Sequence, residues 1–342
     1  MRQNKIQYNK SVTSRDVAKL AGVSQSTVSR AFNSVDGKGV KIEVMKKIME
    51  AANQIGYMPN LVARGMISGK TNMIGLVVGD GIGPFYNNIV NKFIEKVQEL
   101  GKQCLVFKVS ERGHINDIIL RVIQFQVEAI IITAPAMSKD MSNVEVETDI
   151  PVILFNRFIS GMDMSTVYVD PIEGGAIAAN HLYEKGHRNI GYIKYLKDTG
   201  EEIEKKIGFT SKLRKYNIHL IKEDVADYSY DSGYEAGKRL LSIKDRPTAI
   251  FCTSDLIAMG VIDVARHEFN LEIPKDLSVM GYDNIIMSNW KAYDLTTVNQ
   301  PIEALIDKTI VMLQELLSSE NNNQMVEALE PYIIERGSVG EI

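Results

Sequence analysis

TSRDVAKLAGVSQSTVSRAFN, residues 13–33, reads as two short amphipathic helices joined at a glycine. The first helix is expected to start at Thr13 or Ser14, with Asp16 in its first turn as a capping partner. Val17, Ala18, Leu20 and Ala21 supply an apolar stripe, and Gly22 lets the backbone turn where a side chain would clash. Val23 is an apolar plug and Ser24 a cap for the second helix, whose Val28, Ala31 and Phe32 recur at helical spacing and face inward. Gln25, Ser26, Ser29 and Arg30 are left outward. Short donors and acceptors beside one guanidinium suit the edges of base pairs, since arginine pairs bidentately with guanine. An ordinary helical hairpin would carry the same face as solvated surface.

Charge distinguishes the two. Residues 1–70 hold 12 Lys and Arg against 4 Asp and Glu, a net of +8, whereas the remainder carries −12. A basic head suits phosphate contact and an acidic body does not, which favours nucleic acid over an acidic protein partner. The 342 residues, 45% of them hydrophobic, allow two or three domains with real cores. No apolar run approaches a membrane span, and MRQNKIQYNK at the N-terminus lacks the apolar stretch of a signal peptide. Cys104 and Cys252 stand far apart in apolar runs without a CxxC pair, so both are expected as reduced core residues of a cytoplasmic protein.

A third helix is expected over Ile42–Ile55, with Val44, Ile48, Ala51, Ala52 and Ile55 closing a three-helix head and Pro59 marking its end. LVARGMISGK follows, too short to be a stable helix alone and weakened by Gly65. From Met73 the texture alternates. MIGLVV, QCLVFKV, EAIIIT and PVILFN read as buried parallel strands, separated by helical patterns near 85–100 and 115–126. After TVYVD the scheme restarts with NIGYIKY, TAIFC and LSVMGYD among further helices. Two successive α/β units of similar size predict two lobes with a cleft between them.

Other chemistry finds little support. GDGIGP has Pro84 where a dinucleotide fingerprint needs glycine. The five histidines show no metal-ligand spacing, and His187 in KGHRNI is expected to be structural. No GxSxG occurs, and no catalytic constellation is assignable. Neither a cofactor nor a metal is therefore expected. A secreted solute receptor would share the lobes but lack the basic head, and an α/β enzyme would need catalytic groups.

The motifs VTSRDVAKLAGVSQSTVSRAFN, IGYMPNLVARGM, KTNMIGLVV, GPFY, VDPIEGGAIAANHLYEKGHRNIGYI, PTAIFCTSDLIAMGV, IPKDLSVMGYD and LTTVNQP, in this order, resemble the lactose-repressor (LacI/GalR) family over nearly the whole chain. The resemblance implies a helix-turn-helix head (1–58), a hinge (59–70) entering the minor groove, and a two-lobed α/β body (71–342) with parallel sheets, like a periplasmic sugar-binding protein. Lobe 1 is expected at about 71–168 and 300–325, and lobe 2 at about 169–299 and 326–338. It implies a homodimeric repressor on a palindromic operator of double-stranded DNA, with a sugar-like effector between the lobes. No membrane partner and no enzyme activity follow from it.

By the same resemblance, Gln25, Ser26 and Arg30 fall at base-reading positions, and Thr13, Ser24, Thr27, Ser29 and Asn33 at phosphate-facing ones. Met66 stands where a leucine usually wedges between central base pairs. In the cleft, Asp80, Phe85, Tyr86, Arg157, Tyr228, Asp255, Asp283, Trp290 and Gln300 match effector-lining positions. Ser254 replaces a common asparagine there, and Lys205 a frequent arginine, a point donor for a planar fork. The loop from Ser34 is longer than the usual spacing, and VKIEV lacks the usual cap and acidic start of the third helix. Gly65 departs from the usual serine or alanine, which predicts a weak hinge helix. Gly65→Ala should raise hinge helicity and tighten operator binding by about 1 kcal/mol per hinge, measured by fluorescence anisotropy on an operator duplex.

Overall fold

The computed structural model describes residues 12–33, 40–59, 71–79, 83–109, 114–133, 148–159, 161–196, 199–318 and 323–342. The chain divides into two compact units, Met1–Thr71 and Asn72–Ile342. The expectations for Gly65, Met66, Asp80 and the hinge past Pro59 lie outside the described residues, as does the side chain of Asn33.

The first unit holds three helices, α1 (Ser14–Ala21), α2 (Gln25–Asn33) and α3 (Ile42–Ile55). Thr13 caps α1, its N–H and hydroxyl both donating to Asp16 Oδ2 at 2.9 and 2.7 Å. These bonds hold the Asp16 carboxyl below its usual range. Gly22 turns the chain at φ +67° and donates its N–H to Ala18 O. The buried core is Val17, Ala18, Val28, Ala31, Ile48, Ala51 and Ala52, with Phe32 packed edge-on to Tyr57 at 5.5 Å. Leu20, expected in the apolar stripe, is 46% exposed. It lies about 110° around the helix from the centre of the face made by Val17, Ala18 and Ala21, so the short helix leaves it on the flank. Helix α3 begins at Ile42 with Lys41 as an extended N-cap that makes no side-chain capping bond.

The second unit contains two six-stranded sheets. Lobe 1 is built on β1 (Met73–Val78), β2 (Gln103–Lys108), β3 (Ala129–Thr133), β4 (Val152–Phe155), β5 (Ser165–Val169) and β11 (Val326–Leu329), in the spatial order β11-β5-β4-β3-β1-β2. Every pairing in it is parallel. Parallel strands need helices on both faces. Helices α4 (Pro84–Glu99) and α10 (Ile302–Ser318) cover one face through Ile89, Phe93, Leu305 and Leu313. Helix α5 (Ile115–Gln124) covers the other through Ile115, Ile119 and Val122.

Lobe 2 carries β6 (Ile190–Tyr195), β7 (Lys222–Ala226), β8 (Ala249–Cys252), β9 (Ser278–Tyr282), β10 (Thr296–Asn299) and β12 (Tyr332–Ile334), ordered β12-β10-β9-β8-β6-β7 with only β12 antiparallel. Helices α8 (Tyr230–Leu241) and α9 (Asp255–His267) pack on one face. Helices α6 (Pro171–Glu184) and α7 (Gly200–Lys215) pack on the other. The buried His187 ring bridges Thr248 Oγ1 at 3.0 Å and Gly340 O at 3.2 Å, a structural clamp on the C-terminal segment.

Two expectations need correction. Strand β11 pairs with β5, so residues 326–329 belong to lobe 1 and the last crossing follows Leu329. The first three residues of this edge strand are exposed, so it lacks the continuous apolar run of a buried strand. QCLVFKV is not a fully buried strand: β2 is the sheet edge, with Gln103, Val106 and Lys108 exposed and Cys104 half-buried. Among the described residues no helix is long and apolar enough to cross a membrane, and no group of His, Cys, Asp and Glu could hold a metal ion.

Helices α6 and α7 approach until backbone meets backbone. A Cβ on Gly208 would stand 1.9 Å from Ile172 O, and one on Gly175 2.0 Å from Lys205 O. Gly208→Ala should therefore destabilise the body by roughly 1–3 kcal/mol, seen as a lower urea midpoint. An unchanged midpoint would show that the crossing relaxes without cost.

Candidate functional site

The outer face of the head is a polar net. Gln25 is held from two sides, accepting from Arg15 Nε at 3.2 Å and donating to Ser14 Oγ at 3.1 Å. Ser24 Oγ accepts the Thr27 N–H at 3.1 Å and shares hydrogen bonds with Ser26 Oγ at 2.7 Å and Thr27 Oγ1 at 2.8 Å. Arg30 is exposed, and its Nε leans back on Ser26 O at 3.4 Å. Ser29 is half-buried beside it. Thus Gln25, Ser26 and Arg30 share one exposed surface of α2, organised before any ligand arrives. Preorganised side chains lose less entropy on binding.

The second site forms where the carboxyl ends of the parallel strands of both lobes converge, the usual place for a ligand crevice in α/β sheets. Asn156 follows β4, Tyr195 ends β6, Thr253 follows β8, Asp283 follows β9 and Gln300 follows β10. A hydrogen-bond relay crosses from lobe to lobe. Asn156 Nδ2 donates to Gln300 Oε1 at 2.7 Å, and Gln300 Nε2 donates to Asp283 Oδ1 at 2.8 Å. Phe85 packs against the cores of both lobes and meets Tyr86 edge-on at 5.1 Å. Burial and the charges of Glu201 and Asp283 push the Tyr86 hydroxyl pKa well up, against the smaller pull of Lys205 and Asn156.

Lys205 is the buried cation of the site. Its ammonium lies 3.0 Å from Glu202, 3.3 Å from Glu201 and 4.0 Å from the centre of the Tyr282 ring. The nearby carboxylates outweigh burial and hold the lysine well above its usual pKa. Glu202 also accepts the Tyr195 N–H at 3.1 Å and the Tyr228 hydroxyl at 3.2 Å, and those two rings stack at 3.9 Å. Asp283 holds φ at +107°, a conformation disfavoured for a residue with a Cβ. Such strain costs on the order of 1–3 kcal/mol and persists where surroundings over-determine it. Here Arg336 grips Asn284 Oδ1 at 2.7 Å, and Asn284 in turn donates to Asn299 at 2.8 Å. Burial drives the Asp283 carboxyl well above its usual pKa, against the pull of Lys205.

Phe85, Tyr86, Lys205, Tyr228, Asp283 and Gln300 therefore come together as one cluster. Arg157 sits at its edge, where it lines a cavity of about 30 Å³ with Phe158, Tyr168, Glu201 and Glu204. Its guanidinium stands 3.0 Å from where a Gly200 Cβ would be. Trp290 is 54% exposed after a short 3-10 turn (Ile286–Asn289), and among the described residues no ring contact joins it to the cluster. Ser254 is buried as N-cap of α9.

Asp255 departs from its expected place on the cleft wall. It is fully buried, and both oxygens are committed to the protein: Oδ2 accepts the Ile285 N–H at 2.8 Å and Ser288 Oγ at 2.6 Å, and Oδ1 accepts Thr297 Oγ1 at 2.6 Å. It fixes the segment after Asp283 rather than meeting a ligand. Burial pushes its carboxyl up to about 6. Asn156, Tyr195, Glu201, Glu202 and Tyr282 are the members that sequence reasoning missed. Glu201 and Glu202 were detectable as i−4 and i−3 partners of Lys205 on one helix. The others depend on strand ends brought together only by folding.

A family model described as "Bacterial regulatory proteins, lacI family" matches residues 13–60, and one for a periplasmic binding protein-like domain matches 179–339. The HTH-type transcriptional repressor PurR of Pectobacterium carotovorum is 30% identical over 345 aligned positions, covering 96% of this chain and 97% of the relative. PurR of Actinobacillus pleuropneumoniae is also 30% identical, covering 96% and 98%. Among solved structures, the lac repressor dimer bound to operator and the anti-inducer ONPF superposes with TM-score 0.88 at 24% identity, covering 97% of this chain and 100% of that one. The transcriptional regulator CelR in complex with cellobiose gives TM-score 0.70 at 26% identity, covering 96% and 99%.

Asp255→Ala should cost the body about 2–4 kcal/mol, because three buried donors lose their acceptor. The raised carboxyl pKa means that the fold favours the protonated acid. Its contribution is full below about pH 4 and is lost as pH rises through about 6. Calorimetry from pH 4 to 7 should show the parent losing stability relative to Asp255→Asn across that window; parallel curves would refute the burial argument.

Proposed function

The chain belongs to the lacI family of bacterial regulatory proteins, and on that premise we propose that it is a transcriptional repressor whose operator affinity is set by a small molecule between the lobes. One observation carries this: an exposed polar face of α2, Gln25, Ser26 and Arg30, shares a chain with a polar cluster at the convergence of two parallel sheets. Residues 1–58 serve as the reader, 59–70 as the hinge and 71–342 as the effector-binding and dimerisation body. One recognition helix spans only a few base pairs, so a two-fold dimer on a roughly palindromic operator supplies the remaining specificity. The names of the relatives, a repressor called PurR and a regulator complexed with cellobiose, support DNA and a small polar molecule as the two ligands. The protein works by binding rather than turnover, in the bacterial cytoplasm where its operator lies.

Within the head, Thr13, Ser24, Thr27, Ser29 and Asn33 take phosphates and Met66 of the hinge supplies the apolar wedge. In the cleft, Phe85, Tyr86, Tyr228 and Trp290 offer apolar faces to the effector. Asp80, Arg157, Lys205, Ser254, Asp283 and Gln300 are the polar groups assigned to it. An effector changes operator affinity only by binding the two body conformations unequally. The Asn156–Gln300–Asp283 relay is the contact that an effector would replace or reinforce.

Arg30→Ala should weaken operator binding by about 1–3 kcal/mol and binding to random duplex far less. Equal losses on both would move Arg30 among the phosphate contacts. Parent binding should fall steeply between 50 and 200 mM salt, as release of condensed counterions requires. Sedimentation of the full chain at micromolar concentration should give a dimer; a strict monomer would sink the two-fold operator model.

A further inference from the structure

We infer that the inter-lobe cleft is built for an effector carrying a positively charged amine beside hydroxyl groups, an amino-sugar-like polyol, and against phosphorylated or carboxylated ligands. This rests on the cleft being the effector site, as proposed above from strand topology and the lobe-to-lobe relay.

The charge balance of the cleft is the first ground. Two carboxylates, Glu201 and Glu202, flank the cluster's lysine, and burial favours the neutral acid at Asp283. The opposing cation in the cluster is Lys205, and it is already committed. Two carboxylates hold its ammonium within 3.3 Å, the Tyr282 ring backs it, and Thr253 O stands at 3.5 Å. An incoming phosphate would compete with Glu201 and Glu202 for the lysine and be repelled by both. Arg157 stands at the cleft edge, where it lines a small cavity with Glu201 and Glu204.

Open acceptors are the second ground. Glu202 is saturated by Lys205, the Tyr195 N–H and the Tyr228 hydroxyl. Glu201 and Asp283 are not. One Glu201 oxygen meets Lys205 and one Asp283 oxygen meets Gln300, and among the described residues the second oxygen of each meets no donor. A ligand amine, with three donors and a positive charge, answers both. The third ground is aromatic. The stacked Tyr195 and Tyr228 rings and the neighbouring Tyr86 offer π-faces and hydroxyls, and the cluster already holds one ammonium over a tyrosine ring at 4.0 Å. Sugar hydroxyls are served by Gln300 and Asn156, whose amides both accept and donate.

The test uses the full-length protein and sets of matched hexoses in the gluco, galacto and manno series. Each set contains the 2-amino sugar, its N-acetyl form, the neutral hexose, the 6-phosphate and the uronate. Titration calorimetry at pH 7 should show an amino sugar binding at least about tenfold more tightly than every other member of its set. The N-acetyl form keeps the ring and loses the charge, so it should lose that advantage. Glu201→Gln should weaken the amino sugar about tenfold and narrow its lead over the neutral hexose. A 6-phosphate, uronate or neutral hexose that binds more tightly than its amino counterpart overturns the inference. Failure of every amino sugar to bind at millimolar concentration overturns it too. The effector role is read separately, from operator affinity. A neutral or anionic hexose that binds and shifts operator affinity removes the charge assignment and leaves the effector cleft standing. Amino-sugar binding that leaves operator affinity unaltered supports the charge assignment and removes the effector role.

Discussion

Glu202 and Lys205 form an ion pair in which each side chain is about 1% exposed, and much of the body is organised around it. Burying two charges is expensive, and the cost is recovered only when every remaining donor and acceptor is met. Here the pair draws in the Tyr195 backbone from β6, the Tyr228 ring from the β7–α8 connection, Tyr282 from β9 and Thr253 from the end of β8. Helix α7 is thereby anchored over the carboxyl ends of three strands, and the backbone-to-backbone approach of α6 and α7 at Gly175 and Gly208 lets it sit that deep. Loss of either partner would strand the other in a buried site.

From that anchor the charge pattern runs outward to the lobe boundary. Lys205 pulls the Asp283 carboxyl toward ionisation while burial pushes the other way, and Gln300 ties the same carboxylate to Asn156 across the lobes. Asp255 stands behind as a fully satisfied buried acid that holds the strained turn after Asp283 in place. Two buried carboxyl groups thus lie on neighbouring strand ends with different partners. The difference is set by whether protein donors consume both oxygens. In the head, by contrast, no buried polar network is required. Small residues such as Ala18, Ala31, Ala51 and Ala52 let three short helices close on one apolar core, and the polar side chains of α2 organise one another at the surface.

What the sequence determined by itself follows from local periodicity and local chemistry. The head was legible because capping, the Gly22 turn and three- and four-residue spacing all act within one or two helical turns. The buried strands were legible because parallel sheets covered on both faces demand continuous apolar runs such as AIIIT and VILF. Among the edge strands, β2 was read as a strand but as a buried one, and β7, β11 and β12 were not read, because all four are half-solvated and carry mixed polarity. The order of strands, the return of β11 to lobe 1 and the pairing of Asn156 with Gln300, 144 positions away, were decided only by tertiary structure. The same holds for the cleft. Sequence placed carboxylates and tyrosines at strand and helix ends, but the contacts that commit Asp255 to the protein and leave Asp283 an open oxygen come from Ile285, Ser288, Thr297 and Gln300. Hydrogen bonds between segments so far apart depend on three-dimensional packing, to which linear spacing is blind.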